Sequence, residues 1–339
     1  MPVIDLRSDT VTKPTKAMLE AMFNAKVGDD VFEEDETVNR LEKKTADLFG
    51  METGLFCPSG TMTNQIAIKV LTSPLDEVIC DRLAHVYNYE GGGIAFNSSA
   101  SVRLLNGDHG RFTAQDVLNN INPDNVHYPK TSLVCIENTS NRGGGCYWSY
   151  KEMEMISKTC KTNKLFLHLD GARIFNALAE TGENPKDHGK LFDTISICLS
   201  KGLGAPVGSV LIGKEEYIKK ARRVRKVLGG GMRQAGYLAA AGIFALDNQV
   251  ERLKEDHERA KTLGKAVAQL SFVEEVLPVN TNIVVFRLND HYKSEDFIGK
   301  LNHAKIKVVP FGKQTVRMVT HLDIDDEMIT NVLEELKKL

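Results

Sequence analysis

The segment that decides the fold reads Ile195-Ser-Ile-Cys-Leu-Ser-Lys-Gly-Leu-Gly-Ala-Pro206, an apolar run that leads straight into a glycine-rich turn. The run Ile195–Leu199 predicts a buried strand, and another short apolar run, Ser209–Ile212, follows the turn. Lysine is rarely buried, and a partly desolvated lysine amine loses proton affinity and becomes nucleophilic enough to form imines. Lys201 is therefore a candidate Schiff-base lysine, although an exposed turn lysine would produce the same pattern.

Similar short apolar runs alternate with helical patterns on both sides of this segment. This alternation predicts an α/β fold with a largely parallel sheet. The predicted strands are Thr53–Cys57, Glu77–Cys80, Ser101–Leu105, Thr131–Glu137, Leu165–Asp170, Thr194–Leu199 and Ser209–Ile212, and the predicted helices are Thr61–Leu71, Lys151–Lys161 and Glu216–Lys226.

The chain divides into three predicted regions. Residues 16–248 form a large domain, which ends with an alanine-rich helical stretch after Gln234. Residues 249–339 begin with a long charged helix and continue as strands and helices, which predicts a smaller C-terminal α/β domain. Residues 1–15 are polar and interrupted by proline, so we expect an arm across the site or onto a neighbouring subunit rather than a part of the core.

Composition excludes several classes of protein. The 339 residues are 42% hydrophobic and 26% charged, with a net charge of -2, so the basic run Lys219–Lys226 predicts a solvated or interface helix and no nucleic-acid partner. Apolar stretches such as Leu238–Leu246 are too short to cross a bilayer, and the N-terminus lacks an apolar signal, so we expect a cytoplasmic protein without membrane contact. Six scattered cysteines indicate neither a disulfide framework nor a metal site.

Two further segments could bind a phosphorylated aromatic cofactor. The run Leu165-Phe-Leu-His-Leu-Asp170 puts a carboxylate at the end of a probable parallel strand, where it could pair with a pyridinium nitrogen. Asp170 could equally cap the helix that follows. Ser59, Gly60 and Thr61 precede a helical run, whose free backbone N–H groups could hold a phosphate, although many helices begin in this way.

Two basic residues suit an amino-acid substrate. Arg317 lies in the strand-like segment Val316-Arg-Met-Val-Thr320 and could bind a carboxylate through both ends of its guanidinium group. An arginine on an exposed strand face is the alternative. His85 follows a predicted strand and could stack on a cofactor ring, or be an ordinary surface histidine.

Taken together, these segments resemble the threonine aldolases, a family of fold-type-I pyridoxal-5'-phosphate (PLP) enzymes with an aspartate-aminotransferase-like fold. The motifs that carry the resemblance occur in family order along nearly the whole chain. They are Asp5-Leu-Arg-Ser-Asp-Thr-Val-Thr-Lys-Pro14, Val27-Gly-Asp-Asp30, Phe56-Cys-Pro-Ser-Gly-Thr61, Ile136-Glu-Asn-Thr139, Asp170-Gly-Ala-Arg-Ile-Phe-Asn176, Leu199-Ser-Lys-Gly202 and Gly229-Gly-Gly-Met-Arg-Gln-Ala235.

The resemblance implies a role for each candidate residue. It implies PLP as cofactor, and a homo-oligomer, expected to be a tetramer, whose subunits share active sites. For the cofactor ring, the resemblance implies that Lys201 is the Schiff-base lysine, that Asp170 is the partner of the pyridine nitrogen, that Arg173 contacts the ring-hydroxyl side and that His85 stacks on the ring. For the phosphate, it implies a cradle of Ser59, Gly60 and Thr61, with contacts from Lys226 and Arg233 of an adjacent subunit. For the substrate, it implies that Ser8 and Arg317 receive the carboxylate and that His127 is a second active-site histidine.

The implied reaction is cleavage of L-threonine, L-allo-threonine and other β-hydroxy-α-amino acids to glycine and an aldehyde. A histidine suits the general base because its pKa lies near neutral pH, and we expect His85 in this role, with His127 or a water molecule as alternatives. Phe32-Glu33 replaces the Tyr-Gly of many relatives, so a phenolic hydroxyl is lost there. Another PLP-dependent lyase or transferase, or a non-catalytic PLP-binding protein, remains the alternative function.

Overall fold

The structure, a computed structural model, describes residues 3–339 and contains three β-sheets surrounded by helices. The strands are β1 (Ile4–Asp5), β2 (Thr53–Cys57), β3 (Asp76–Asp81), β4 (Ser101–Leu105), β5 (Lys130–Glu137), β6 (Phe166–Gly171), β7 (Thr194–Cys198), β8 (Ser209–Gly213), β9 (Val273–Val276), β10 (Ile283–Leu288), β11 (Ile306–Lys307), β12 (Val309–Gly312) and β13 (Thr315–Val319). The helices are α1 (Lys16–Phe23), α2 (Glu36–Phe49), α3 (Gly60–Leu71), α4 (His85–Asn88), α5 (Gly93–Ser98), α6 (Ala114–Asn119), α7 (Tyr150–Thr162), α8 (Ile174–Thr181), α9 (Pro185–Gly189), α10 (Glu215–Val227), α11 (Gly236–Asn248), α12 (Leu253–Val267), α13 (Ser294–His303) and α14 (Asp326–Leu336).

The main sheet has seven strands in the order β2-β8-β7-β6-β5-β3-β4. Strand β8 runs antiparallel to both of its neighbours, and the other strand pairs are parallel. All seven predicted strands are found here, because strands covered by helices on both faces are written in the sequence as nearly continuous apolar runs. The three predicted helices are α3, α7 and α10, each longer than predicted by one or two residues.

Parallel strands bring their carboxyl ends to one edge of the sheet, and this edge positions the candidate site. Strand β5 ends at Glu137, β6 places Asp170 at its end, and the chain that leaves β7 reaches Lys201 three residues later. Helix α3 begins beside the same edge, since Thr63 Oγ1 lies 2.6 Å from Ser196 Oγ on β7.

A second sheet of four antiparallel strands, in the order β12-β13-β10-β9, forms its own core with α12, α13 and α14. The strands β1 and β11 form a short parallel pair beside it. Ile4 and Leu6 are fully buried in this second core, which corrects the expectation that the N-terminal segment lies outside the core. Two apolar side chains at alternate positions, four and six, insert there because β1 is a paired strand.

Helix α12 begins just after the predicted boundary between the large and small domains and contacts both cores. It contributes Leu253 to the core of the main sheet and Ala260, Leu263 and Val267 to the second core. The division at residues 248 and 249 stays a prediction. Among residues 3–339, no helix combines the length and the apolar character that crossing a membrane would require.

Candidate active site

Lys201 lies in the turn that joins β7 to β8, as the sequence predicts. Gly208 ends this turn with a φ of 110°, and a Cβ atom there would lie 2.5 Å from the ring of Phe56, so the turn requires glycine. Lys201 Nζ lies 3.7 Å from Cys198 Sγ, and Thr12 Oγ1 donates a hydrogen bond of 3.0 Å to the Lys201 carbonyl. Within residues 3–339 no carboxylate forms an ion pair with this amine, which leaves it available for reaction.

Asp170 is a buried carboxylate, 2% exposed, at the end of β6. Its Oδ2 accepts a hydrogen bond from Asn64 Nδ2 at 3.0 Å, and its Oδ1 accepts one from the Ala172 N–H at 3.1 Å. Helix α8 begins only at Ile174, with Arg173 in the N-cap position, so the helix-cap interpretation of Asp170 is wrong. In the described part of the chain no cation pairs with Asp170, and a buried carboxylate of this kind calls for a positively charged partner.

Asn64 and His168 form a buried polar chain behind Asp170. His168 Nδ1 lies 2.8 Å from Thr194 Oγ1, and its Nε2 lies 3.1 Å from Asn64 Oδ1. Because an amide oxygen only accepts, Nε2 carries the proton and Nδ1 accepts from the threonine hydroxyl. The Asn64 amide is thereby oriented to donate to Asp170. Burial lowers the pKa of His168 to about 4, so the ring is neutral at physiological pH.

The low pKa of His168 predicts a loss of stability in mild acid. In the unfolded chain this histidine takes up a proton near pH 6.5, whereas the folded protein resists protonation down to about pH 4. The free energy of unfolding should therefore decrease as the pH falls from 6.5 to 4, by about 3 kcal/mol from this residue. Urea titrations at several pH values should show that His168→Gln reduces this slope, while the exposed His291→Gln leaves it unchanged. An equal slope in the wild type and in His168→Gln would contradict the assignment.

His85 opens helix α4 and faces a buried glutamate. Its Nδ1 lies 2.9 Å from Glu90 Oε1, and nitrogen and oxygen atoms of His85, Glu90 and Asp170 lie within 4.8 Å of one another. Burial lowers the pKa of His85, but the hydrogen bond to Glu90 and the neighbouring carboxylates outweigh it and raise the pKa above 6.5. With the Nδ1 proton held by Glu90, Nε2 is the nitrogen left to exchange a proton.

The carboxylate of Glu90 is saturated by N–H donors. It accepts from Asn64 Nδ2 at 2.8 Å and from Gln65 Nε2 at 2.6 Å, in addition to His85. A cation at this position would have to displace these donors, and for this reason we assign no metal to the group. Glu90 instead orients the imidazole, and through Asn64 it shares one amide with Asp170.

The predicted phosphate cradle lies beside Lys201. Ser59 is the N-cap of α3, and its Oγ accepts a hydrogen bond of 3.2 Å from the Met62 N–H. A Cβ atom on Gly60 would lie 2.4 Å from Cys198 Sγ, so the close approach of α3 to the end of β7 requires glycine. Ser209 Oγ, 3.5 Å from the same position, is buried without a hydrogen-bond partner. With Thr61 exposed on the first turn, these groups fit a phosphate.

Arg173 and Asp9 form a buried bidentate ion pair. Arg173 Nε and Nη2 donate to the two carboxylate oxygens of Asp9 at 2.7 and 2.6 Å. The guanidinium group holds the pKa of Asp9 well below its usual range despite burial, and the charge of Lys201 acts in the same direction. The pair therefore brings the N-terminal segment, including Ser8, close to Lys201. We call the space at this carboxyl edge of the main sheet, beside Lys201 and Asp170, the cleft.

Arg317 is a half-buried cation whose hydrogen-bond partners are neutral groups. Its Nη1 donates to Asn141 Oδ1 at 2.8 Å and its Nη2 donates to the Arg7 carbonyl at 2.9 Å, while Nε is buried with no hydrogen-bond partner among residues 3–339. Burial and the charge of Arg173 lower the pKa of Arg317 to about 10. Across the described residues no carboxylate pairs with Arg317. Since Arg7 precedes Ser8, the two residues predicted to receive the substrate carboxylate lie together.

Three predicted site residues stay outside this cleft in the single chain. His127 is exposed in the loop before β5, at the amino end of the strand, whereas the cleft lies at the carboxyl end. Lys226 is exposed, and Arg233 is exposed with its Nη1 3.0 Å from Asp29 Oδ2. The Arg233 guanidinium also lies 5.9 Å from the ring of Phe32, which is 70% exposed. Their roles stay predictions.

The architecture and the sequence both match known proteins. The fold is similar to that of the aspartate aminotransferase from Rhizobium meliloti, with a TM-score of 0.71 and 16% sequence identity over 99% of this chain and 90% of that chain. The threonine aldolase structure from Leishmania major has a TM-score of 0.86 and 23% identity over 99% of each chain. These likenesses confirm the predicted aspartate-aminotransferase-like fold of the fold-type-I PLP enzymes.

Sequence comparison narrows this class to one family. Residues 5–290 match the family model of the beta-eliminating lyases. Over 331 residues the chain is 40% identical to the low specificity L-threonine aldolase of Escherichia coli K12, and the alignment covers 97% of both proteins. The chain therefore belongs to the low-specificity L-threonine aldolases of the beta-eliminating lyase family, a PLP-dependent group, as the motifs predict.

Proposed function

We propose that this protein binds PLP and cleaves L-threonine, L-allo-threonine and related β-hydroxy-α-amino acids to glycine and an aldehyde. One observation supports this function above the others. Lys201, Asp170 and Arg317 lie around one cleft, and none of them has an ion-pair partner among the described residues. Such unpaired charges suit a ligand that supplies an aldehyde, a protonated ring nitrogen and a carboxylate.

The residues that would hold PLP follow from the geometry of the cleft. Lys201 would hold the cofactor covalently, the first turn of α3 with Ser59, Gly60 and Thr61 would bind its phosphate, and Asp170 would pair with its ring nitrogen. When bound, PLP supplies an electron sink for the pair of electrons released by Cα–Cβ cleavage. Arg173, whose guanidinium is fixed by Asp9, would flank the ring on its hydroxyl side.

The other residues orient the substrate and move one proton. Arg317 and Ser8 would hold the α-carboxylate, which fixes the bond that stands across the plane of the ring. His85 donates a hydrogen bond from Nδ1 to Glu90, so its Nε2 would take the β-hydroxyl proton as the carbon–carbon bond breaks. Water or His127 is the alternative base, the latter only if a neighbouring subunit supplies it.

The function is tested by following both products. Purified protein loaded with PLP should release acetaldehyde and glycine in equal amounts from threonine, without a keto acid or folate. Separate measurements with L-threonine and L-allo-threonine give the preference between the diastereomers. Formation of a keto acid from threonine without acetaldehyde would instead indicate an aminotransferase and would overturn the proposal.

We also infer that the protein is a homotetramer whose active sites are shared between subunits. Lys226 and Arg233 support this inference because both are exposed, near the end of a basic helix, on a surface that also presents Phe32. Mixed oligomers made from Lys201→Ala and Arg233→Ala chains should recover part of the activity that each variant lacks alone. A fully active monomer in analytical ultracentrifugation would contradict sharing.

A further inference from the structure

We propose that Glu137 is a positioning residue that fixes the base His85 and the carboxylate-binding Arg317 relative to each other. The inference rests on the proposed function, since it assigns a task to a residue that the reaction itself does not use. It starts from a carboxylate that joins two separate segments of the active site through their backbone N–H groups.

Each oxygen of Glu137 accepts one hydrogen bond from a different segment. Oε2 accepts from the His85 N–H at 2.8 Å, and Oε1 accepts from the Asn141 N–H at 2.9 Å. Glu137 is 6% exposed at the end of β5, and its own carbonyl accepts a hydrogen bond of 3.0 Å from Trp148 Nε1. Both the backbone and the side chain of Glu137 are therefore held in place.

Each of the two segments carries a functional side chain. The first N–H belongs to His85, so Glu137 fixes the start of the helix that carries the imidazole. The second belongs to Asn141, whose Oδ1 accepts the hydrogen bond from Arg317 Nη1. Glu137 therefore joins the backbone of His85 to the backbone of Asn141, and the Asn141 side chain carries the connection on to the guanidinium group of Arg317.

The chemistry of this position requires a carboxylate. An ionised carboxylate accepts on both oxygens, whereas a glutamine amide accepts on one side and presents N–H donors on the other. Burial and the charge of Asp170 raise the pKa of Glu137 to about 7, although the two N–H donors and the charge of His85 act to lower it. Within residues 3–339 no lysine or arginine forms an ion pair with Glu137. A carboxylate kept where burial disfavours its charge is typical of functional sites.

The test separates the two ends of this link in the PLP-loaded enzyme. In Glu137→Gln, the amide NH2 group faces one of the two backbone N–H groups and cannot accept a hydrogen bond from it. Glycine affinity and kcat should therefore both fall, each roughly 10- to 100-fold. Glycine binding, followed by its absorbance change, reports the carboxylate site without turnover. Arg317→Ala should weaken glycine binding, whereas His85→Asn should lower kcat and leave glycine affinity nearly unchanged.

Amide hydrogen exchange provides a readout that does not depend on catalysis. Peptides containing residues 85 and 141 should both exchange faster in Glu137→Gln, while the peptide containing residue 201 exchanges as in the wild type. Asp193→Asn is the matched control, because Asp193 is a half-buried carboxyl that accepts the Leu167 N–H at 2.8 Å at the opposite edge of the sheet. It should change neither kinetics nor exchange at residues 85 and 141.

Two results would overturn the proposal. They are a change in only one of the two peptides, or a loss of kcat in Glu137→Gln with unchanged glycine affinity. If Glu137→Gln does not fold, Glu137→Asp, which keeps the charge and shortens the reach, is judged by the same two readouts. If both peptides exchange faster in Glu137→Gln but the wild-type protein releases no aldehyde, the link through Glu137 is supported and the aldolase function is rejected. Failure of the link and failure of the proposed function are therefore distinguishable.

Discussion

Lys201→Ala should abolish covalent attachment of PLP and reduce threonine cleavage by at least roughly 10⁴-fold, since loss of a covalent nucleophile typically has an effect of this size. The reason is that Lys201 is the lysine that the turn after β7 places in the cleft, with its amine 3.7 Å from Cys198 Sγ and without an ion pair to a carboxylate among the described residues. Borohydride reduction followed by peptide mapping should find the cofactor on the wild-type peptide that contains residue 201 and on no peptide of the variant.

Lys214→Ala is the matched control for this experiment. Lys214 follows β8 as Lys201 follows β7, but β8 is antiparallel, so Lys214 emerges at the opposite edge of the sheet. Its replacement should leave attachment and turnover unchanged. A Lys201→Ala protein that still yields a borohydride-stable adduct and turns over normally would refute the assignment of Lys201.

Asp170→Asn should bind PLP and retain a covalent link, but lose aldehyde release by roughly 10²- to 10³-fold or more. An amide fits the hydrogen bond from Ala172 but cannot hold a proton on the ring nitrogen, so cleavage suffers more than binding. The measurement is steady-state release of acetaldehyde from threonine, coupled to its reduction, beside the absorbance spectrum of the bound cofactor. Asp193→Asn again serves as the control. Near wild-type kinetics in Asp170→Asn would remove this residue from the mechanism.

The sequence predicted the main sheet because six of its seven strands are largely buried, while the edge strand β4 is mostly accessible to solvent. Runs such as Thr131–Glu137 show no helical spacing of polar residues, so they are not mistaken for helices. Glycine, proline or polar residues mark their ends. The short strands β9, β11 and β12 have two to four residues and lie partly exposed, so the local pattern carries little information about them.

Lys201 and Asp170 could be predicted because each directly follows or ends a buried strand. Asn64, Glu90 and Glu137 were missed because each has a contact that joins segments 25 to 106 residues apart in the chain, and no periodicity records such contacts. His168 did leave a signal, since it precedes Asp170 by two positions in a strand and so points to the same face of the sheet. His127, Lys226 and Arg233 are exposed and lie outside the cleft in this single chain, so their roles stay predictions.

The pairing of β1 with β11 has a consequence for how the cleft can open. The Leu6 carbonyl also accepts the Val319 N–H at 2.8 Å, so the segment that carries Ser8 is attached to the same sheet as Arg317. Lys201 and Asp170 belong instead to the seven-stranded sheet. Any rotation of one sheet against the other would therefore move Ser8 and Arg317 together, relative to Lys201 and Asp170. The buried ion pair of Asp9 and Arg173 joins the N-terminal segment to the main sheet, so such a rotation would also have to move or break this pair.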